Sequence, residues 1–429
     1  MFNIFPFFLS GLNTDSSVAA SFGVIDRLKL LGNPLLPPEI FLAMNLWHFK
    51  QQRANNVTPQ PVCNATVNQP GSSSAGCGRN WVHRCNNGTE ESASSISVYD
   101  ANGSSLQLGK QAELGAGGEG TVYSLAVSSK TPLLVKIFKP ETLKDMNKMD
   151  GLSQRMDDML NIGMCRSMNF LAWPVMPVCN AQKQLAGFVM RKVSGRTFRS
   201  FHYAASIPKF FPGWDRRDLV LVALDFVKKI SLLASLRVLV NDFNPANFLV
   251  NENHSVNFID CDSFQVPSTK GGDNITKTYF ETIVAPELLK DKQLMLRSRT
   301  MRHLGFATGV TVFQLLMCGL YPYSHCGGGM PRENLLMGKC PLGVHSGATL
   351  PTGFYNLLSW MPYNLVGWFI KMFKDGHGNP EKRPSLDALV NELDNFLHVM
   401  KVDPSPERRA LMPQKSKKIA NYVVGKATI

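Results

Sequence analysis

One stretch constrains this chain more than any other. Val240-Asn241-Asp242-Phe243-Asn244-Pro245-Ala246-Asn247-Phe248-Leu249-Val250 ends in an apolar strand, and Val256-Asn257-Phe258-Ile259-Asp260-Cys261-Asp262 sets Asp260 at the end of a second. Asp242 lies five residues before Asn247, and Asp260 thirteen after it. In isolation an Asp or Asn in a loop is a turn former, because its side chain bonds its own backbone. Phosphoryl transfer asks for another use of the same types: a carboxylate to orient a hydroxyl, an amide and a carboxylate for magnesium, and a lysine for the phosphates.

A lysine and a glycine-rich phrase stand upstream of this stretch. Gly115-Ala116-Gly117-Gly118-Glu119-Gly120-Thr121-Val122 is rich in glycine, which lets backbone N–H groups approach phosphate oxygens with no Cβ in the way. Dinucleotide-binding domains open on a similar phrase, but there a helix follows; Thr121-Val122-Tyr123-Ser124-Leu125 reads as a strand. Lys136 follows Gly120 by sixteen residues within Leu133-Leu134-Val135-Lys136-Ile137-Phe138. Alone it reads as a surface lysine at a strand edge; behind a phosphate loop it reads as a ligand for anions. Downstream, Ala285-Pro286-Glu287 follows Asp260 by 27 residues and Arg383-Pro384-Ser385 opens a late helix. Glu287 and Arg383 are expected to form one buried bidentate pair.

In this order the motifs resemble a protein kinase domain from about Leu106 to Val399, and their wording is most similar to a bacterial branch of Ser/Thr kinases, the YegI-like kinases. The resemblance implies a bilobal α+β fold, with a small β-rich N-lobe and a larger helical C-lobe, and a function as an ATP- and Mg²⁺-dependent Ser/Thr protein kinase. It implies that Gly115, Ala116, Gly117, Gly118, Gly120 and Val122 cover the ATP phosphates, and that Lys136 binds them. Asp242 would orient the acceptor hydroxyl, Asn247 and Asp260 would hold Mg²⁺, and Met190 to Val193 would form the hinge beside adenine. It further implies a protein substrate, and an association with von Willebrand A-type proteins and a metal-dependent Ser/Thr phosphatase.

Several positions leave the common kinase pattern. Val240 and Asn241 stand where His and Arg usually precede the catalytic Asp, and Leu304 where the central helix usually carries an Asp. Those changes are expected to be correlated, giving the loop a greasier support. Asn244 replaces a lysine, Leu134 an alanine over adenine, and Asp262 the glycine after the metal-binding Asp. Asp262 is either an extra metal ligand or a cap for Ser263 and Phe264, the cap being preferred. The helix over residues 141–161 has no Glu to pair with Lys136, only Asp145, Asp150, Asp157 and Asp158. The segment from Ser263 to Val284 offers Ser268, Thr269, Thr276, Thr278 and Thr282, but no Arg precedes Asp242 to receive a phosphate, so activation by phosphorylation there is not supported. These departures keep a second reading open, a pseudokinase scaffold that binds nucleotide or partner proteins without efficient transfer.

Composition sets the remaining limits. Among 429 residues, 44% are hydrophobic, enough for a substantial core. The net charge of +13 allows nucleic acid, an acidic membrane or phosphorylated substrates. Much of it sits in a basic tail over residues 401–429, expected to be solvated; no basic run with interleaved aromatics favours nucleic acid. The divisions expected are an extension over 1–60, a Ser/Asn/Gly-rich linker and first hairpin over 61–105, the N-lobe over 106–193, the C-lobe over 194–400, and that tail. Cys63, Cys77, His83 and Cys85 are too unevenly spaced for a structural zinc site. The other six of the nine cysteines sit in or near apolar stretches and read as reduced thiols of a cytoplasmic protein. The apolar start lacks a preceding Lys or Arg and contains Pro6, so it reads as a packing or membrane-surface segment rather than a secretory signal. Leu304 to Tyr323 has the length and lack of charge of a membrane span, yet is read as a buried central helix.

Overall fold

A computed structural model describes residues 97–417 except 101, 117–118, 126–131, 144–145, 275–278, 296, 325–328 and 344–349. The expected N-terminal extension, the Cys63, Cys77, His83 and Cys85 stretch, Gly117, Gly118, Thr276, Thr278, Cys326 and the end of the tail lie outside the described residues.

The Asn102-Gly103 turn works as its sequence predicts. Asp100 Oδ1 accepts from the N–H groups of Asn102 and Ser104 at 2.9 and 2.8 Å, and Gly103 takes φ +86°. The turn joins β1 (Ser97–Tyr99) to β2 (Ser105–Ala116) as an antiparallel hairpin. Next come β3 (Gly120–Leu125), β4 (Leu133–Phe138), β5 (Pro174–Cys179) and β6 (Leu185–Arg191), in the sheet order β1-β2-β3-β4-β6-β5. A Tyr99–Cys179 pairing between β1 and β5 closes the sheet on itself. β5 is absent from the sequence reading because Pro174 and Pro177 argue against a strand; it survives with β6 along one side and that single pairing along the other.

Strand alternation decides where Lys136 points. Val135 and Ile137 enter a cluster with Val98, Leu108, Val178 and Val189 inside the curled sheet. Leu134 and Phe138 face the opposite way, against Phe188, Met190, Met156 and Ile259, and period two puts Lys136 on their side. That face is covered by α1 (Met146–Asn161), which Trp173 pins by donating its indole N–H to Met159 O at 3.0 Å. Gly187 admits this close pairing: a Cβ there would lie 2.0 Å from Lys136 O.

The second lobe is helical. A small sheet of β7 (Arg196–Thr197), β8 (Phe248–Val250) and β9 (Val256–Phe258) sits at its head. Below lie α2 (Arg216–Ser235), α3 (Met301–Leu316), α4 (Thr352–Ser359), α5 (Tyr363–Ile370) and α6 (Leu386–Val402), with α2 packed against both α3 and α6. This is a bilobal α+β, kinase-like fold. The span-like stretch lies in α3 as far as Leu316 and then turns at Cys318 and Gly319, which take positive φ; α3 is buried almost throughout, and among the described residues no helix is long and apolar enough to cross a membrane. The sequence from Phe354 to Phe373 reads as one helix by its periodicity, but it is broken in two, because Pro362 has no N–H to continue the ladder and instead precedes α5. The tail differs from expectation only in part as far as residue 417. Arg408 is buried, Trp360 donates to Lys415 O, Asn356 donates to Pro413 O, and Lys417 N–H donates to the Ser359 hydroxyl. Polar side chains of the lobe thus hold the main chain of this segment, while Lys401, Arg409, Lys415 and Lys417 stay exposed, as a solvated tail requires.

Glu287 and Arg383 form the expected bidentate pair, both contacts at 2.7 Å, with the guanidinium also donating to Gly376 O and Arg302 O. His303 Nε2 lies 3.3 Å from Glu287, and burial pulls that imidazole down to about 4, so it is neutral near pH 7. Arg383→Met is expected to cost about 3–5 kcal/mol, because Glu287 would keep its charge and lose its fork. Urea unfolding measures this; a loss below about 1 kcal/mol would show that the pair does not hold the lobe together.

Candidate active site

The β8–β9 hairpin builds the site. Asn247 ends a 3₁₀ turn (Pro245–Asn247) that leads into β8, and Asp260 follows β9 by two residues. Ile259 N–H donates to Asn247 O at 2.9 Å, fixing the two strand ends side by side. Asp242 is joined to the same turn: its Oδ1 accepts from Asn244 N–H at 3.2 Å and its Oδ2 from Asn247 Nδ2 at 3.1 Å. The three residues singled out by spacing therefore meet.

Lys136 reaches them from the other lobe. Its Nζ lies 2.6 Å from Asp260 Oδ1 and 3.0 and 2.8 Å from the two oxygens of Asp262. The two acids differ in access, the Asp260 side chain being 40% exposed and that of Asp262 4%. Burial alone would lower the Lys136 ammonium, but the carboxylates of Asp262 and Asp260 more than offset it and the net shift is upward, so the lysine stays charged. Burial pushes Asp262 up, opposed by Lys136. Asp242 is raised as well, chiefly by burial, with Asp260 and Glu119 adding to the shift and bonds from Asn244 and Asn247 opposing it. Glu119, in the Gly-rich loop, also raises Asp262, so that loop's charge is felt at the site.

Asp260 adopts φ 57°, ψ 38°, a left-handed backbone that Asp tolerates better than most residues at a cost on the order of 1 kcal/mol. The turn that follows, Cys261–Ser263, is held by the Ser263 hydroxyl donating to Asp260 O at 2.8 Å. Asp262 therefore does not serve as the preferred cap: its carboxylate belongs to Lys136. With both its oxygens on the ammonium and almost no exposure, it is also a poor metal ligand.

Beneath the loop the support is apolar. Phe243 and Phe248 pack with Phe226, and Phe248 also meets Phe198 and Phe258. Val240 and Leu304 line one small pocket together with Asn241, Phe243, Arg299 and His303. The two departures expected to be correlated thus face the same space. Gln265 ties this floor in place, exchanging main-chain bonds with Leu239 and side-chain bonds with the backbone of Arg299.

Other expected residues are placed as follows. Gly115 and Ala116 end β2 and Gly120 begins β3, so the glycine phrase forms a β-turn-β hairpin rather than a strand-to-helix turn. Gly120 is required by packing in any case, since a Cβ there would lie 2.6 Å from Ile137 O. Val122, Leu134, Val193 and Ile259 are partly buried hydrophobics packed against the cluster that contains Met190. Three residues are missed by sequence reasoning. Asp262 is the first. Arg155 on α1 is the second; its Nη1 donates to Asp262 O at 3.0 Å and its Nη2 to Asn274 Oδ1 at 2.9 Å. Arg199 is the third, with Nη2 3.5 Å from Asn244 Oδ1, which brings a cation to the position where Asn244 has replaced a lysine. A helix without Glu but with an Arg nineteen residues after Lys136 was the available signal for the second.

Among the described residues no group of three His, Cys, Asp or Glu side chains forms a metal cage. Magnesium takes one or two carboxylates and completes its shell with phosphates and water, so an amide beside one exposed carboxylate suits it. A two-lobed fold with a lysine, two loop carboxylates and an amide at the junction defines a protein-kinase-like chain. No protein-family model matches it. It is similar to protein kinase YegI of Escherichia coli (strain K12), 28% identical over 235 residues that make up 53% of this chain and 34% of that protein. The protein of the same description from Escherichia coli O157:H7 is similar to the same extent. The chain thus spans about a third of the length of the curated relatives it matches.

Removing the Lys136 ammonium should reveal the buried acid. In Lys136→Met, Asp262 is left without its cation, so its folded pKa rises further above the unfolded value and the penalty grows as pH climbs. Urea midpoints of variant and parent are expected to differ more at pH 7.5 than at pH 5. An equal difference at both would mean that Asp262 is not held as a buried charge.

Proposed function

We propose that this chain is an ATP- and Mg²⁺-dependent protein kinase that transfers the γ-phosphoryl group to Ser or Thr hydroxyls of a protein substrate. The observation that carries the reading is the meeting of Lys136, Asp242, Asn247 and Asp260 at one junction of the two lobes. Asp242 orients the acceptor hydroxyl and takes its proton; Lys136 holds nucleotide phosphates by charge, and the residues around Met190 and Val193 receive the adenine. Asn247 and Asp260 would hold the metal. When bound, magnesium supplies positive charge against the phosphate oxygens. Gly115 to Gly120 cover the phosphates with backbone N–H groups. Arg199 partly makes up for the charge lost at Asn244. We take its site of action to be the cytoplasm, where the buried thiols of Cys165, Cys179, Cys261, Cys318 and Cys340 would stay reduced.

A pseudokinase scaffold is the second reading, and Asn244 is the feature that favours it. Its other motive was the lack of a helix Glu, and Lys136 has two carboxylate partners instead.

Purified chain with [γ-³²P]ATP and Mg²⁺ is expected to label itself or a generic protein substrate, and Asp242→Asn to reduce labelling by at least about a thousandfold, as expected for loss of a catalytic base together with its orienting charge. Undiminished label in that variant would sink the assignment. Nucleotide-dependent thermal stabilisation with no transfer by the parent chain would favour the scaffold.

The raised Asp242 carboxyl also sets a pH dependence. The base works ionised, so activity is expected to fall on acidification at a higher pH than an ordinary aspartate imposes. A kcat/KM profile with an acidic limb at or below the usual aspartate value would contradict this placement.

A further inference from the structure

We infer that Asp262 is the residue that positions Lys136 for nucleotide phosphates, and that Arg155 locks it there. The inference rests on the kinase reading and adds to it the anchor that the sequence left unassigned. The common arrangement supplies this anion from the helix beside the sheet. Here the described carboxylates of α1 are engaged elsewhere or face solvent. Asp158 takes the N–H and hydroxyl of Thr269, Gln154 Nε2 and Asn274 Nδ2, while Asp157 is exposed.

Access separates the roles of the two acids on Lys136. Asp260, at 40% exposure, can turn toward a cation in the cleft. Asp262, at 4%, cannot, and both its oxygens stay on the ammonium. When Asp260 is drawn to a cation, Lys136 loses one partner and retains the bidentate one. The lysine thereby keeps its charge and its direction with a valence left for phosphate.

The helix has changed sign to match. Arg155 is buried, and its Nη1 donates to the main-chain oxygens of Asp262 and Phe264 at 3.0 and 3.4 Å. Its charge is pulled down by burial and held up first by Asp262, then by Glu119 and Asp158. A carboxylate at position 155 would face those same carbonyls and the Asp262 carboxylate, a repulsive set. Anion in the loop and cation on the helix are one exchange. Asp262 acts through Lys136 and Arg155 through Asp262, so both are positioning residues.

The test compares ligands that do and do not reach Lys136. Full-length parent, Asp262→Asn and Arg155→Gln are titrated calorimetrically with ATP and with adenosine, both without added metal. Asp262→Asn is expected to weaken ATP by about tenfold, the loss of one charge-assisted contact, while adenosine changes less than about twofold. Arg155→Gln is expected to weaken ATP by about threefold in the same selective manner, and it carries the test if Asp262→Asn does not fold. ATP affinity unchanged in a folded variant, or adenosine weakened as much as ATP, overturns the inference while leaving the kinase reading intact. A parent chain that binds neither ligand overturns both.

Discussion

An ammonium group is buried where the two lobes of this molecule meet. Lys136 is carried into the junction by strand alternation, and it meets two carboxylates that a short turn after β9 presents from the other lobe. Burying such a group costs several kcal/mol unless its partners are close and themselves well held. That requirement accounts for the surroundings. Arg155 braces the main chain of the turn, Ser263 ties it to Asp260, and Gln265 anchors its exit to Leu239 and Arg299. Each of these bonds is short-range, yet together they fix how the small lobe's one buried lysine faces the large lobe's loop.

Charge is distributed unevenly around that group, and the unevenness has chemical content. Asp242 and Asp262 are both raised, and Glu119 contributes to each. Carboxylates raised by burial first and by neighbouring acids second are poised to accept a cation or a proton, whichever arrives. Asp260 is the exposed member and Asp262 the sealed one, so the site divides its acids into one for traffic and one for structure.

Much of this site was legible in the chain because the residues involved follow local rules. Asp242, Asn247 and Asp260 end or flank short strands, and a hairpin brings strand ends together whatever surrounds it. Lys136 followed from its place on a strand behind the glycine phrase. The Glu287–Arg383 pair was legible from chemistry alone. Asp262 was not, because its partner lies 126 residues away and a local cap explained it equally well. Arg155 and Arg199 likewise acquire meaning only from what stands opposite. In the fold, β5 was hidden by its prolines, since edge position is a tertiary property. The break at Pro362 was visible but yielded to a helical periodicity that continues on both sides of it. In the tail the exposure of Lys401, Arg409, Lys415 and Lys417 was legible from charge, whereas the seat of Arg408 over the Trp360 ring was not, because charge counts describe solvent preference alone.

The greasy floor under the catalytic loop changes what that loop responds to. A hydrogen bond from a buried acid fixes direction and answers to protons. Contact between Val240, Leu304 and their neighbours across a cavity fixes only distance, and the one imidazole lining that space is neutral near pH 7. The height of Asp242 above the large lobe is therefore set by volume. Compression or cold, which act on apolar packing, would therefore be felt by the loop that carries Asp242.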